Sequence, residues 1–327
     1  MALLEVKDLN VKFKTNDGIV NAVNDISFVL NQGETLGIVG ESGSGKSQTV
    51  LSLMGLSAPN AVISGSVKFD SQEILGISTK KLNRIRGNDI SMIFQDPMTS
   101  LNPYLTVESQ LSETMMIHRG CSKKQAQKHA LEMLEAVKIP DAKNRIKLYP
   151  HEFSGGMRQR VMIAMALICK PKLLIADEPT TALDVTVQAQ ILDLLKDLQK
   201  DFKMATILIT HDIGVVANAC DRVMVMYAGS PVEQAGIDTL FKHNRHPYTQ
   251  GLMLATPRVD NMSDKLHAIP GEPPDLSNLG VGCPFQPRCP ISSERCKVMT
   301  PEFLSLPQDM GHKVACFKVE HTEEVSA

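Results

Sequence analysis

Gly40-Glu41-Ser42-Gly43-Ser44-Gly45-Lys46-Ser47 matches the pattern G-x-x-x-x-G-K-[ST] at every fixed position. Glycines at this spacing let backbone N–H groups turn inward around phosphate oxygens without Cβ clashes. Lys46 would reach the β and γ phosphates of a nucleoside triphosphate, and the Ser47 hydroxyl would ligate Mg²⁺. A second chemical position is Lys172-Leu-Leu-Ile-Ala-Asp177-Glu178-Pro179, an apolar run ending in two carboxylates. Asp177 would face the Mg²⁺ through water, and Glu178 would polarise an attacking water as general base. Each motif has a plain alternative, a flexible Gly-Ser turn or a solvated acidic turn, and the two together favour chemistry.

These residues need a scaffold that delivers loops to the ends of strands. Thr35 to Val39 is a short apolar run before the glycine loop, and Val50, Leu51, Leu53, Met54 and Leu56 follow it at helical spacing. Further short strands are predicted at Ile90 to Phe94, Leu173 to Ala176, Ala205 to Thr210 and Val223 to Tyr227. A helix is predicted over Val187 to Lys200. Residues 3–13 and 20–30 alternate in part, as half-buried antiparallel strands do, around the turn-forming Asn16-Asp17-Gly18. Strands alternating with helices predict an α/β sheet, with residues 101–170 as a helical insertion.

Composition narrows the partners. A formal charge of −2 gives no global basic field, so nucleic acid is not expected as a partner. The longest apolar stretch, Val161 to Cys169, falls short of the roughly 20 residues that span a bilayer. The N-terminus lacks a basic region followed by an apolar one, so no signal peptide is expected and the chain is read as folding in the cytosol. Any membrane role would then come through a partner.

Ser154-Gly155-Gly156-Met157-Arg158-Gln159-Arg160 precedes the apolar helix Val161 to Cys169. Small residues at a helix start expose N–H groups to an anion. By order and position this segment resembles the Leu-Ser-Gly-Gly-Gln signature of the ABC ATPase family, with Phe153 in place of Leu and Met157 in place of Gln. The resemblance covers about residues 1–255 and implies an ABC-type P-loop NTPase core with an antiparallel β subdomain and a helical subdomain. It also implies roles for other positions. Gln95 would sense Mg²⁺ and the γ phosphate, and His211 would contact the γ phosphate. Thr181-Ala182-Leu183-Asp184 would cross a dimer interface, and Phe13 would stack on adenine. Asp184 can equally be a helix cap, and Phe13 a core residue. In this family each ATP lies between the phosphate loop of one chain and the signature of another, so residues 154–157 would act on a partner's ATP.

From residue 256 to residue 327 the chain becomes a Pro-punctuated, loop-rich tail. Cys283, Cys289, Cys296 and Cys316 follow the spacing C-x5-C-x6-C-x19-C. That spacing is wider than the tight pairs of zinc knuckles. It suits a 4Fe–4S cluster, with free thiols or zinc as alternatives. Any centre here is read as a structural staple for a segment with little core of its own. The tail, His246-Pro247-Tyr248-Thr249, and the stretch Phe94 to Pro103 resemble the oligopeptide and dipeptide importer branch of the ABC ATPases. That resemblance implies an ATP-hydrolysing subunit, peripheral on the cytoplasmic face of the inner membrane, that drives peptide import. Its partners would be a second, homologous ATPase subunit, two transmembrane permease subunits and an extracytoplasmic peptide-binding protein. A soluble repair or translation ATPase would need a coiled-coil insertion or basic arm, and neither is present; a redox sensor would need exposed, reactive thiols.

Overall fold

The computed structural model describes residues 2–16, 18–95, 100–181, 183–255, 268–307 and 309–319. In chain order the strands are β1 (Ala2–Thr15), β2 (Gly18–Asn31), β3 (Thr35–Val39), β4 (Ala61–Phe69), β5 (Gln72–Glu73), β6 (Ile90–Ile93), β7 (Leu173–Asp177), β8 (Ala205–Thr210), β9 (Arg222–Tyr227), β10 (Ser230–Gly236), β11 (Leu304–Leu306) and β12 (Asp309–Val314). The chain forms two compact units, neither of them contiguous in sequence. One holds residues 76–209 with short N-terminal pieces; the other holds residues 4–29, 36–75 and 210 onward.

In the second unit an antiparallel sheet runs in the order β2-β1-β4-β5. Strand β1 buries Leu4 and Val6, then Leu9 and Val11, so its inward phase changes once. A register shift against β4 between Lys7 and Asn10 accounts for that change. Asp8 sits there at φ 49°, with its N–H donating to Ser27 Oγ at 2.8 Å. A bulge of this kind puts an extra residue in one strand and moves its side chains to the other face. It is why the sequence alternates only in part.

The same unit contains β3, parallel to β9, and the antiparallel pairs β9–β10, β10–β12 and β12–β11. Every residue of β3 is buried, which is why it reads as an apolar run rather than an alternation. Strand β10 and the tail hairpin β11–β12 were not expected. The tail is therefore not merely loops, because it adds strands to an existing edge. Pro301 and Pro307 flank that hairpin's first strand rather than interrupt it.

In the first unit β6, β7 and β8 are parallel, and β7 and β8 are buried throughout. Beside them lie the helices Val107–Arg119, Lys123–Ala136 and Gly155–Leu167. Ser122 and Gln125 form a reciprocal capping box at the start of the second of these. Gly120, at φ 62°, ends the first in a left-handed turn. The long helix Val185–Phe202 buries Ile191, Leu194, Leu195 and Leu198, one stripe at 3.6-residue spacing.

Candidate functional site

The phosphate loop leaves β3 and enters the helix Lys46–Leu53. Two of its glycines are demanded by close approach. A Cβ at Gly40 would lie 2.3 Å from the Met226 carbonyl oxygen, and one at Gly45 would lie 2.3 Å from that of Ala22. Gly45 also has φ 95°, where L side chains are strained. It heads the helix with no side-chain cap, and a helix N-terminus favours an anion. Lys46 is 5% exposed, and its ammonium donates to the Gly40 and Glu41 carbonyls, both at 2.8 Å. Ser44 Oγ is buried without a hydrogen-bond partner, an orphaned polar atom in the loop itself. Ser42 and Gly43 are exposed, and Ser47 is half-buried. A nucleoside triphosphate with Mg²⁺ fits this loop on the chemistry of its donors.

In the first unit Asp177 ends β7 and is 7% exposed. The next residue, Glu178, adopts φ 48°, a conformation that costs a non-glycine residue roughly 1–3 kcal/mol. Its N–H donates to the Ile209 carbonyl at 3.0 Å. Its carboxylate accepts from Gln95 Nε2 at 3.2 Å and from Thr181 Oγ at 2.8 Å. Gln95 and Glu178 are thus brought together, although 83 positions apart. Of the stretch Phe94 to Pro103, residues 96–99 lie outside the described residues, as does Ala182.

Ser154 is the N-cap of the helix Gly155–Leu167, and its hydroxyl accepts from the Met157 N–H at 3.4 Å. Phe153 is buried while Ser154 and Gly155 are exposed, so the segment is anchored from below and open above. Gly156 packs closely: a Cβ there would meet the Val187 side chain at 3.0 Å, so that side chain would have to shift. Met157 takes an Arg145 guanidinium contact through its sulfur, at 3.2 Å. Asp184 caps the helix Val185–Phe202, accepting from the Val187 N–H at 3.0 Å. The capping alternative for Asp184 therefore holds, whatever else the residue does. In the second unit His211 is exposed and Asp212 caps the helix Ile213–Ala219. Phe13 is half-buried on β1, opposite Ala61 of β4.

The four tail cysteines line one cavity of about 20 Å³, together with Phe285 and His246. Burial pushes the Cys283 thiol up to about 11, with the charges of Cys296, Cys289 and Cys316 adding to the effect. Cys289 and Cys316 are raised in the same way, burial first. Among the described residues no group of three or more His, Cys, Asp or Glu is placed to hold a single metal ion.

The residue that sequence reasoning missed lies beside this cluster. Arg288 is nearly buried, and its guanidinium grips both carboxylate oxygens of Glu41, at 2.6 and 2.9 Å. Tyr227, Tyr248 and Phe285 pack around it with ring centroids 4.7–5.4 Å apart. Tyr248 Oη accepts the Glu41 N–H at 2.8 Å. Arg288 stands between two cysteines in a Pro-rich run, and no local pattern marks a partner in the phosphate loop.

A model of the ABC transporter family matches residues 23–181, and one described as the oligopeptide/dipeptide transporter C-terminal region matches residues 232–296. The oligopeptide transport ATP-binding protein OppD of Haemophilus influenzae is 59% identical, with 90% of this chain and 92% of that one covered. OppD of Escherichia coli K12 is 58% identical, covering 97% and 93%. AppD of Bacillus subtilis, also an oligopeptide transport ATP-binding protein, is 49% identical, covering 97% of each. Among solved structures, the dimeric post-hydrolysis state of the ATP-binding cassette MJ0796 bound to ADP and Pi aligns with a TM-score of 0.64 at 29% identity, over 72% of this chain and 98% of that one. CbiO1 from Clostridium perfringens, part of the transporter complex cbiONQ, aligns at 0.63 and 31%, over 74% and 91%.

Proposed function

The chain belongs to the ABC transporter ATP-binding family, and from that premise we propose that it is the ATP-hydrolysing subunit of an importer of oligopeptides or dipeptides. The observation that carries this reading is near-full-length similarity to OppD proteins, tail included. No helix among the described residues is long and apolar enough to cross a membrane. The work would therefore reach the membrane through two permease subunits, with this chain peripheral on the cytoplasmic face of the inner membrane and a peptide-binding protein outside. Nucleic acid has no part in the reading. We divide the chain into a nucleotide-binding domain, residues 1–255, with its helical subdomain at about 101–170, and a C-terminal tail, residues 256–327.

The site roles follow the motifs. Amides of Gly40, Ser42, Gly43, Ser44 and Gly45 with Lys46 take the phosphates, and Phe13 takes the adenine. Ser47, Gln95 and Asp177 hold Mg²⁺. Glu178 is the base that orients water, supported by its bonds to Gln95 and Thr181, and His211 addresses the γ phosphate. Ser154, Gly155, Gly156, Met157 and Asp184 serve an ATP bound to a second, homologous subunit, most simply as a heterodimer. The exposure of Ser154 and Gly155 on an anchored helix start supports that assignment. ATP then joins the subunits and hydrolysis releases them, because only the closed state binds ATP from both sides.

For the tail we propose a 4Fe–4S cluster on Cys283, Cys289, Cys296 and Cys316 as a structural staple. Convergence of four thiols on one cavity supports it. These thiols are only half-exposed, which argues against a redox sensor built on exposed cysteines.

ATPase assay of the assembled transporter tests the main reading. Lys46→Ala should abolish ATP binding or hydrolysis. Glu178→Gln should bind ATP, hydrolyse it about 10²–10⁴-fold more slowly and accumulate closed dimers. Near wild-type turnover in either variant would overturn the role assigned to that residue.

A further inference from the structure

We propose that Arg288 is a positioning residue for ATP binding: it sets the phosphate loop from the C-terminal tail by clamping the side chain of Glu41. The inference rests on reading Gly40–Ser47 as the ATP phosphate loop, and it goes beyond that reading by making the tail part of the nucleotide machinery.

Glu41 is the first variable position of the loop. Its carbonyl already receives Lys46, its N–H is held by Tyr248, and its carboxylate is held by Arg288. Every polar group of Glu41 is therefore tied down, two of them by residues outside the loop. The guanidinium is itself fixed. Its Nε donates to the Pro270 carbonyl at 3.0 Å, Nη1 to Tyr227 Oη at 3.3 Å and Nη2 to the Ile269 carbonyl at 3.4 Å. A bidentate guanidinium–carboxylate pair sets orientation as well as distance. With Arg288 5% exposed at its side chain and Glu41 26% exposed, solvent screens the pair weakly.

The tail lies along the loop as well as touching it at one point. Pro273, Pro274, Asp275 and Leu276 share a cavity of about 290 Å³ with Glu41 and Ser44. Arg288 closes the short turn Gln286–Arg288, whose neighbours on either side include Cys283 and Cys289. The Cys283 N–H donates to the Cys296 carbonyl, and the Cys289 N–H to that of Gln286. The cysteine-lined segment thus holds the turn that holds the loop. A loop whose amide N–H groups must meet phosphate oxygens loses affinity when its first residues wander.

The test titrates full-length protein with a fluorescent ATP analogue and Mg²⁺. Four variants are compared with wild type: Arg288→Met, Arg288→Lys, Glu41→Gln, and the pair Arg288→Met with Glu41→Gln. Amide hydrogen exchange over residues 41–47 is followed in parallel. Arg288→Met should weaken binding about ten- to a hundredfold, the range a small misplacement costs. Arg288→Lys should recover part of that loss. The double variant should be no weaker than the worse single, since one contact is removed twice. Exchange at residues 41–44 should rise in Arg288→Met while helix 185–202 stays protected, which separates a loosened loop from a lost fold. Wild-type affinity in Arg288→Met, or additive losses in the double variant, would overturn the proposal. Lys46→Ala is run alongside. If it binds as wild type does, the phosphate-loop reading fails; if it fails to bind while Arg288→Met binds normally, only the role of Arg288 fails.

Discussion

Replacing Gly45 by alanine adds one methyl group and removes no charge and no hydrogen bond. The structure nevertheless assigns it two separate costs. At φ 95° an L side chain is strained by roughly 1–2 kcal/mol. The new Cβ would also stand 2.3 Å from the Ala22 carbonyl oxygen, with Gly229 Cα at 3.3 Å. Both neighbours are backbone and cannot rotate away, so overpacking adds about 1–3 kcal/mol. The sum is about 2–5 kcal/mol. Gly43→Ala is the internal control. Its φ is 80°, but nothing lies within 4 Å of the added Cβ, so only the first cost applies. At roughly 2 °C per kcal/mol for a large domain, thermal melting without nucleotide should fall by about 4–10 °C in Gly45→Ala and by about 2–4 °C in Gly43→Ala. Equal shifts in the two variants would refute the claim that contact with Ala22, rather than backbone conformation alone, requires glycine at position 45.

Two further outcomes concern the tail and the residues it packs on. His246 is buried beside Glu233, and burial lowers its pKa to about 4. A neutral folded imidazole contributes stability that is fully present above pH 6.5 and is lost as pH falls toward about 4, up to about 3 kcal/mol in all. Denaturant midpoints across that window should fall with acidity in wild type and flatten in His246→Asn; parallel slopes would exclude His246 as the titrating group. Protein purified without oxygen should show visible iron–sulfide absorption and bound iron, both lost in Cys289→Ser. Colourless, iron-free wild type would remove the cluster reading and leave Arg288 to hold the turn.

Much of the site was legible in the sequence because phosphate chemistry is local. Gly40 to Ser47 must be contiguous, since one turn of backbone has to surround the phosphates and lead into a helix. Asp177 and Glu178 must end an apolar strand. Ser154 to Met157 must open a helix. Strand and helix positions in the nucleotide-binding part followed from period and from runs of buried residues, as at Ala205 to Thr210, where the expected and observed limits coincide.

What tertiary structure alone decided lies in contacts between residues far apart in the chain. The bulge at Asp8 depends on Ser27 and on pairing with β4. Strand β10 was hidden because Glu233 and Gln234, which look solvent-facing, are buried. Glu233 is satisfied by the Arg245 and His246 N–H groups and by His312. The tail hairpin forms because β10 offers it an edge, which no property of residues 304–314 announces. Arg288 and Glu41 are 247 positions apart. Side-chain type alone says that each needs a partner of opposite charge, and only the folded chain says that they are each other's.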